Sequence, residues 1–147
     1  MSLDQHLTHS FKLGEIKRKW YLVDASGETL GRVASRVAHL LRGKHKPSFT
    51  SNIDSGDFVI VVNADKVKLT GKRPVMKNYF HYTGYPGGAT WESFRELMKT
   101  KPERVFARAV RGMIPHNRLG RRIVTKLKVY AGPNHPHAAQ KPEPIKL

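Results

Sequence analysis

The sequence lacks cysteine altogether and is poor in acidic residues. With no cysteine among its 147 residues, the chain has no disulfide framework, no thiolate nucleophile and no cysteine-ligated zinc site. Its 27 Lys and Arg outnumber its 11 Asp and Glu, which gives a formal net charge of +16 and a pI of about 10.4. A pI above about 9 is typical of domains that bind nucleic acid, so the charge predicts a polyanionic partner.

Long apolar runs are also missing. The longest uninterrupted one is Phe58–Val62, which is far too short to span a bilayer. Residues 1–15 contain no basic segment followed by an apolar stretch, so we expect no signal peptide. The early Asp4 and the absence of Arg before Arg18 argue against a transit peptide. We therefore expect a cytoplasmic protein that has no membrane partner.

Hydrophobic periodicity predicts three parts in the chain. Residues 1–19 are polar and aperiodic, and they form a predicted N-terminal arm that ends in a basic triplet. Residues 20–132 carry the periodic segments and form one predicted α/β domain. Residues 133–147 follow a Gly-Pro turn and form a predicted irregular C-terminal tail.

A strand–helix–strand unit begins the predicted domain. Trp20–Asp24 is a short β-type run, and apolar residues over 30–41 recur at the spacing of one helix face. Thr29 and Gly43 are the candidate capping residues of that helix. Phe58–Val62 is uniformly apolar, as in a strand that is buried on both faces. The unit predicts a single compact α/β domain with a mainly parallel sheet flanked by helices.

Further elements are predicted after the second strand. Alternation over 67–70 predicts a half-exposed strand, whereas the Gly- and Pro-rich residues 71–90 predict a loop. Residues 119–127 fit either a helix or a strand, and 128–130 look extended and fit the last strand of the domain.

Two more helices are predicted between residues 90 and 115. Thr90 is the candidate N-cap of the first, which includes Trp91 and Met98 on its apolar face. Pro102 fits the first position of the second helix, which places Met113 on its apolar face.

Cations form stripes on two of the predicted helices, opposite their apolar faces. From residue 104 to residue 142 there is no Asp or Glu, although these 39 residues include nine Lys or Arg. A single stripe would be equally typical of a solvated face, but two stripes and an acid-free segment together predict a polyanion, since unneutralised charge of one sign destabilises the fold. The stripes are Arg32, Arg36 and His39 in the first helix, and Arg104, Arg108 and Arg111 in the helix that starts at Pro102.

Aromatic residues alternate with cations in the predicted loop over 71–90. Unpaired RNA bases stack on such rings while Lys and Arg hold phosphates, so this composition favours RNA as the polyanion. The apolar helix faces are needed to cover the sheet, which argues against an interfacial membrane helix. We expect Phe80 to pack beneath the loop. The candidate RNA contacts here are Lys72, Arg73, Lys77, Tyr79, His81, Tyr82 and Tyr85.

Motifs of nucleotide-dependent and metal enzymes are absent from the sequence. The turn Gly27–Gly31 lies between a strand and a helix, but it matches neither GxGxxG nor GxxxxGK[ST]. The pair His135 and His137 has no apparent third metal ligand, so we expect it to meet RNA or water. We therefore predict no metal, no cofactor, no small-molecule substrate and no enzymatic activity.

The order and spacing of many short motifs resemble one known family, the bacterial large-subunit ribosomal protein L13 family. The resemblance covers nearly the whole chain from residue 19 to residue 142. The motifs that carry it are Ser26–Ser35, Leu40–Lys46, Asp54–Ala64, Leu69–Lys72, Gly84–Gly88, Val110–Pro115, Leu119–Arg121, Lys126–Gly132 and His137–Gln140.

The resemblance implies a non-catalytic structural protein with a parallel α/β fold. Such a protein binds large-subunit ribosomal RNA, joins early in subunit assembly and meets neighbouring large-subunit proteins. By position, it implies RNA contacts at Arg42, Lys44, His45, Lys46, Lys72, Gly112, Met113, Pro115, Gly120 and Arg121. The charge pattern adds Lys17, Arg18, Lys19, Arg32, Arg36, Arg108, Arg111, Arg118, Arg122, His135 and His137.

Two alternative functions can be tested against this prediction, although the absent motifs argue against the second. A free regulatory protein that binds messenger RNA would use the same cationic surface, but it would be found in a sizeable pool outside ribosomes. A nucleotide-dependent enzyme that uses the turn Gly27–Gly31 would bind ATP or GTP, which calorimetry can test.

Overall fold

A four-stranded parallel sheet is the centre of the structure, a computed structural model that describes residues 11–145. Residues 1–10 of the predicted arm and 146–147 of the predicted tail lie outside the described residues. In chain order the elements are β1 (Trp20–Asp24), α1 (Leu30–Arg42), β2 (Phe58–Val62), α2 (Arg73–Met76), β3 (Asn78–Tyr82), β4 (Ala89–Ser93), α3 (Phe94–Thr100), α4 (Pro102–Met113), α5 (Arg118–Thr125), β5 (Leu127–Val129) and β6 (Glu143–Ile145).

The sheet has the strand order β5–β2–β1–β6, and every neighbouring pair is parallel. Residues Val23, Val59 and Val61 are fully buried in the core formed with the helices. On the other face of β1, the Trp20 ring stacks on Phe58 with ring centroids 4.3 Å apart. The predicted α/β fold with a parallel sheet and flanking helices is confirmed.

Helix α1 begins and ends at the predicted residues. Its apolar stripe, which includes Val33, Val37 and Leu41, is buried, as the periodicity predicts. Gly43 ends the helix in the left-handed region at φ +83°, and its N–H donates to the carbonyl groups of His39 and Leu40. Glycine adopts this conformation without the steric cost of a Cβ atom.

Helix α4 packs against α1 and buries Val105, Phe106 and Val110. Met113, which the periodicity placed on this apolar face, is 46% exposed. That prediction is wrong because α4 ends at Met113, and the next residue, Ile114, enters the core instead.

The predicted strand over 67–70 is wrong. Asn63 adopts the left-handed conformation, and the short 3-10 turn Ala64–Lys66 leads the chain out of the sheet. Both sheet neighbours of β2 are already taken, by β1 and β5. What remains of strand pairing is a single bridge between Lys68 and Thr29.

The predicted loop over 71–90 is also wrong, because this segment contains α2 and most of an antiparallel hairpin formed by β3 and β4. Residues 78–82 alternate aromatic side chains between the two faces of β3, which is a strand pattern. Thr90 and Trp91, assigned to a helix from the sequence, lie in β4, and α3 starts only at Phe94.

Ser93 provides the N-cap of α3 that was expected at Thr90. Its hydroxyl accepts from the backbone N–H of Glu96, and the Glu96 carboxylate accepts from the Ser93 N–H, both at 3.3 Å. This reciprocal pair is a capping box.

We expect Ser93→Ala to lower the free energy of unfolding by about 1 kcal/mol, because α3 loses one of its two capping bonds. Thr29→Ala is the matched control, since Thr29 occupies the N-cap of α1 without a side-chain capping bond. Urea denaturation of both variants checks the prediction. Equal losses at the two caps would contradict it.

The chain after α4 forms a helix and two strands. Residues 119–127, left open by the sequence, form most of α5, whose N-cap Asn117 accepts from the Gly120 N–H at 2.7 Å. The extended residues predicted at 128–130 overlap β5. They are not the last strand, because Glu143–Ile145 of the C-terminal tail pair in parallel with β1. Within residues 11–145, none of the helices has the length and hydropathy of a membrane span.

Candidate nucleic-acid interface

The outer face of α1 carries basic side chains and no acidic ones. Arg32, Arg36 and His39 are exposed on it, opposite the buried apolar stripe. Residues 29–53 contain no Asp or Glu, so no acid within this segment neutralises the face. The predicted position of the stripe is confirmed, and the face is open to a large anionic ligand.

The end of α4 meets this face. A depression of about 290 Å³ is lined by His39, Arg42 and Lys44 together with the exposed Met113. Arg42 also places its guanidinium carbon 5.7 Å from the centroid of the Phe49 ring. The fold thus brings together two segments that are far apart in the chain, the basic turn after α1 and the Gly112–Pro115 motif.

Helix α5 adds a second cationic surface. Arg118, Arg121 and Arg122 are exposed on it, and Arg111 is exposed near the end of α4. The Gly112 backbone is also exposed, and a Cβ atom there would meet nothing within 4 Å. This surface lies within the acid-free part of the chain.

A buried carboxylate contacts two of the side chains that the sequence assigned to RNA, Lys46 and His45. Asp57 is fully buried, and its Oδ1 atom accepts from Lys46 Nζ at 2.5 Å and from the Lys19 N–H at 2.8 Å. His45 Nε2 lies 2.8 Å from the other carboxylate oxygen. Lys46 Nζ also donates to the carbonyl groups of Lys17 and Ser55. The structure therefore uses Lys46 and His45 to hold the basic turn on the domain.

Asp54 forms a second internal charge cluster, with Lys126. The Lys126 ammonium is hydrogen-bonded to Asp54 and donates at 3.2 Å to the carbonyl of Leu41 in the last turn of α1. Burial lowers the pKa of Lys126, and the hydrogen bond with Asp54 opposes that shift. Arg18 lies 3.6 Å from the same carboxylate.

Another arm cation, Lys19, pairs with Glu143 of β6 at 3.2 Å. This contact is mostly exposed, and exposed ion pairs contribute little to stability. Lys17 is exposed. Two of the arm cations, Arg18 and Lys19, are therefore paired to acids of the domain.

The two predicted roles of Tyr79 and Phe80 are exchanged in the structure. Tyr79 is only 7% exposed and Phe80 is 43% exposed, because successive side chains of β3 point to opposite faces. Burial raises the pKa of the Tyr79 hydroxyl. The Phe80 ring contacts Trp91 across the hairpin, with ring centroids 4.8 Å apart. Tyr79 therefore offers no free face to a base.

Arg108 connects the hairpin to α4. Its Nη2 atom donates to the Phe80 carbonyl at 2.6 Å, and its guanidinium carbon lies 5.2 Å from the centroid of the Tyr79 ring. Lys77 approaches the same ring, at 5.4 Å. A charge reversal at Arg108 would thus alter the fold as well as any RNA contact.

We expect Arg108→Ala to destabilise the protein by about 2 kcal/mol, the sum of one charge-assisted hydrogen bond and one cation–π contact. Backbone amides of residues 78–93 should then exchange faster with deuterated solvent. Arg104→Ala, on the exposed side of the same helix, should leave the hairpin unchanged. Unaltered exchange in Arg108→Ala would show that the hairpin does not depend on this residue.

Three further predicted contacts have structural roles. Gly120 is buried, and a Cβ atom there would lie 1.8 Å from the carbonyl oxygen of Pro115. His137 is half-buried, with its Nε2 atom 2.8 Å from the Tyr130 hydroxyl and its ring 5.4 Å from Trp20. His135 stacks on His137. These residues shape the domain and its C-terminal tail.

The hairpin and α2 still present several predicted residues to solvent. Lys72, Arg73, His81, Tyr82 and Tyr85 are all exposed. The sequence missed two exposed aromatic residues, because Phe80 was expected to pack beneath the loop and Trp91 was assigned to the apolar face of a helix. These two residues pair across the hairpin, on the face of β3 opposite to the buried Tyr79.

The internal charge clusters were missed as well. Lys126 and Asp54 are far apart in the chain, and nothing in their spacing indicates a buried pair. Among residues 11–145, no group of three or more His, Cys, Asp or Glu side chains is arranged to hold a metal ion.

Comparisons with known proteins agree on one family. Residues 18–136 match the family model described as Ribosomal protein L13. A relative from Symbiobacterium thermophilum is 59% identical over 132 residues, covering 90% of this chain and 92% of the relative. A relative from Chlorobium phaeobacteroides is 53% identical over 140 residues, covering 95% of this chain and 94% of the relative. A relative from Roseiflexus is 56% identical over 136 residues, covering 92% of this chain and 93% of the relative. All three are called large ribosomal subunit protein uL13.

Proposed function

The chain belongs to the ribosomal protein L13 family, a family of structural and non-enzymatic ribosomal components, and we propose that it binds large-subunit ribosomal RNA in the cytoplasm and supports early subunit assembly. The observation that carries the RNA-binding role is the set of exposed cationic residues on α1, at the end of α4 and on α5, all in acid-free segments of the chain. Ribosomal RNA is a fixed polyanion, and it offsets the repulsion within such a surface.

The protein neutralises and positions phosphates rather than performing chemistry. Exposed guanidinium groups on α1 and α5 hold phosphate oxygens, and Arg suits this role because its planar fork donates two parallel hydrogen bonds. The basic turn after α1 presents Lys44, while the Asp57 carboxylate holds the neighbouring Lys46 in place. Exposed Tyr82 and Tyr85 offer ring faces to unpaired bases. Neighbouring large-subunit proteins contact the remaining surface.

The dependence of RNA affinity on salt tests this proposal. We expect the logarithm of the binding constant for large-subunit ribosomal RNA to fall linearly with the logarithm of salt concentration, with a slope of about −0.7 to −0.9 for each phosphate contacted. Filter binding over a series of salt concentrations gives that slope. Several phosphate contacts predict a total slope of about −4 or steeper. A slope near zero, or no binding at low salt, would contradict the proposal.

A further inference from the structure

A cleft opens between the end of α4 and the beginning of α5, at the segment that joins the two helices. Its volume is about 320 Å³, and Ile114, Pro115 and Val124 supply apolar lining. Arg111 and Arg121, whose side chains are exposed, line the same cleft. The cleft therefore combines an apolar surface with two positive charges.

Backbone contacts fix the shape of this cleft. Gly120 lies so close to the joining segment that a Cβ atom would be 1.8 Å from the Pro115 carbonyl oxygen. The Gly120 N–H donates to the Asn117 side chain at 2.7 Å, which holds the segment against the first turn of α5. Ile114 is only 3% exposed and anchors the other end of the segment in the core. The cleft is thus part of the folded domain.

The size and charge of the cleft limit what it can hold. Ligand sites are typically about 300–1,000 Å³, so this cleft lies at the small end and suits one planar group rather than a peptide helix. No carboxylate lines it, and the chain has no acid between residues 104 and 142. Guanidinium groups hold phosphates and also stack on planar rings. An apolar surface next to two such groups fits a nucleobase with its own phosphates.

We propose that this cleft holds one unpaired nucleotide of the large-subunit ribosomal RNA. Its base lies against Pro115 and Val124, and its flanking phosphates contact Arg111 and Arg121. A paired base cannot enter, because its face is covered by the bases above and below it in the helix. This inference rests on the proposed function, because the RNA strand delivers the nucleotide. A free nucleoside monophosphate has the same chemistry, so it forms a separate arm of the test.

Chemical footprinting of the RNA in its complex with the full-length protein tests this inference. The wild-type protein should protect an unpaired nucleotide from a base-reactive probe. Arg111→Gln should remove that protection and weaken binding by about tenfold. The salt slope should become less steep by the contribution of about one phosphate contact. Arg104→Gln is the matched control: it removes the same charge from the same helix two turns away from Arg111, and it should keep the protection.

Val124→Phe fills the cleft without changing its charge. We expect this variant to lose protection at the same nucleotide and to keep protection elsewhere on the RNA. Thermal unfolding shows whether Val124→Phe folds. If it does not fold, the result for Arg111→Gln decides whether the cleft holds the nucleotide. Calorimetry with AMP and UMP at millimolar concentrations should show no binding.

The possible outcomes separate the two proposals. If Arg111→Gln and a folded Val124→Phe protect the same nucleotides as the wild type with unchanged affinity, the cleft does not hold a nucleotide. Binding of free AMP or UMP would assign the cleft to a free nucleotide and overturn the inference as well. A wild-type protein that fails to bind the RNA would instead overturn the proposed function.

Discussion

Reversing two charges on α1, by Arg32→Glu with Arg36→Glu, is expected to weaken binding to large-subunit ribosomal RNA by about a hundredfold or more at moderate salt. Each reversal removes a phosphate contact and adds a repelling charge to the RNA surface. Both side chains are exposed, so the folded structure should not change. Filter binding gives the affinity, and thermal unfolding confirms that the variant is folded.

Helix α3 provides the matched control for this variant. Arg95 and Lys99 have the same spacing of four residues on an exposed helix face, but Glu92 and Glu96 lie beside them in the sequence. Arg95→Glu with Lys99→Glu makes the same change in net charge and should weaken binding much less. Equal losses in the two double variants would mean that only net charge matters, which would contradict a defined RNA surface on α1.

Replacing the buried carboxylate, by Asp57→Asn, is expected to cost about 3–5 kcal/mol of stability. The substitution keeps the shape of the side chain but leaves the Lys46 ammonium without its counter-charge, and breaking one partner of a buried ion pair is strongly destabilising. For a chain of this size the melting temperature should fall by about 10 °C. The basic turn after α1 should also become mobile, because Lys46 and His45 both contact this carboxylate.

Asp65→Asn is the control for the buried carboxylate. Asp65 is exposed in the 3-10 turn after β2, so its loss should change stability by no more than about 0.5 kcal/mol. Thermal unfolding measures both variants, and hydrogen exchange over residues 43–47 reports on the turn. An Asp57→Asn protein as stable as Asp65→Asn would show that the internal charge cluster does not hold the turn.

The elements predicted correctly from the sequence are those whose pattern depends on local burial. Helix α1 has a clear apolar stripe and capping residues at both ends, so its bounds follow from periodicity alone. Strand β2 is uniformly apolar and lies in the middle of the sheet. In these segments, local preference and tertiary environment agree.

The errors come from segments whose environment is set by distant residues. Val67 and Leu69 alternate with polar residues as strand residues do, but the sheet has no free position beside β2 for them. Strand β6 pairs with β1 although it has only three residues and includes a proline. Such a short edge strand depends on its partner, and its own sequence carries little signal.

In the candidate interface, too, some features follow from the local pattern and others depend on distant residues. Exposure of Arg32 and Arg36 follows directly from helix periodicity. The internal roles of Lys46 and Arg108 could not be predicted, because each depends on a partner that only the fold brings near, Asp57 for the first and the β3 hairpin for the second. Charge composition therefore indicates the kind of partner, whereas the contacts within the fold decide which cations remain available to it.

Sedimentation of a cell lysate through sucrose gradients at low and then high salt tests the central claim most directly. The account predicts that the wild-type protein migrates with the large ribosomal subunit and remains there after the high-salt wash. The Arg32→Glu, Arg36→Glu variant should be depleted from those fractions. A wild-type protein that stays near the top of the low-salt gradient, or leaves the subunit at modest salt, would contradict a structural role in the large ribosomal subunit.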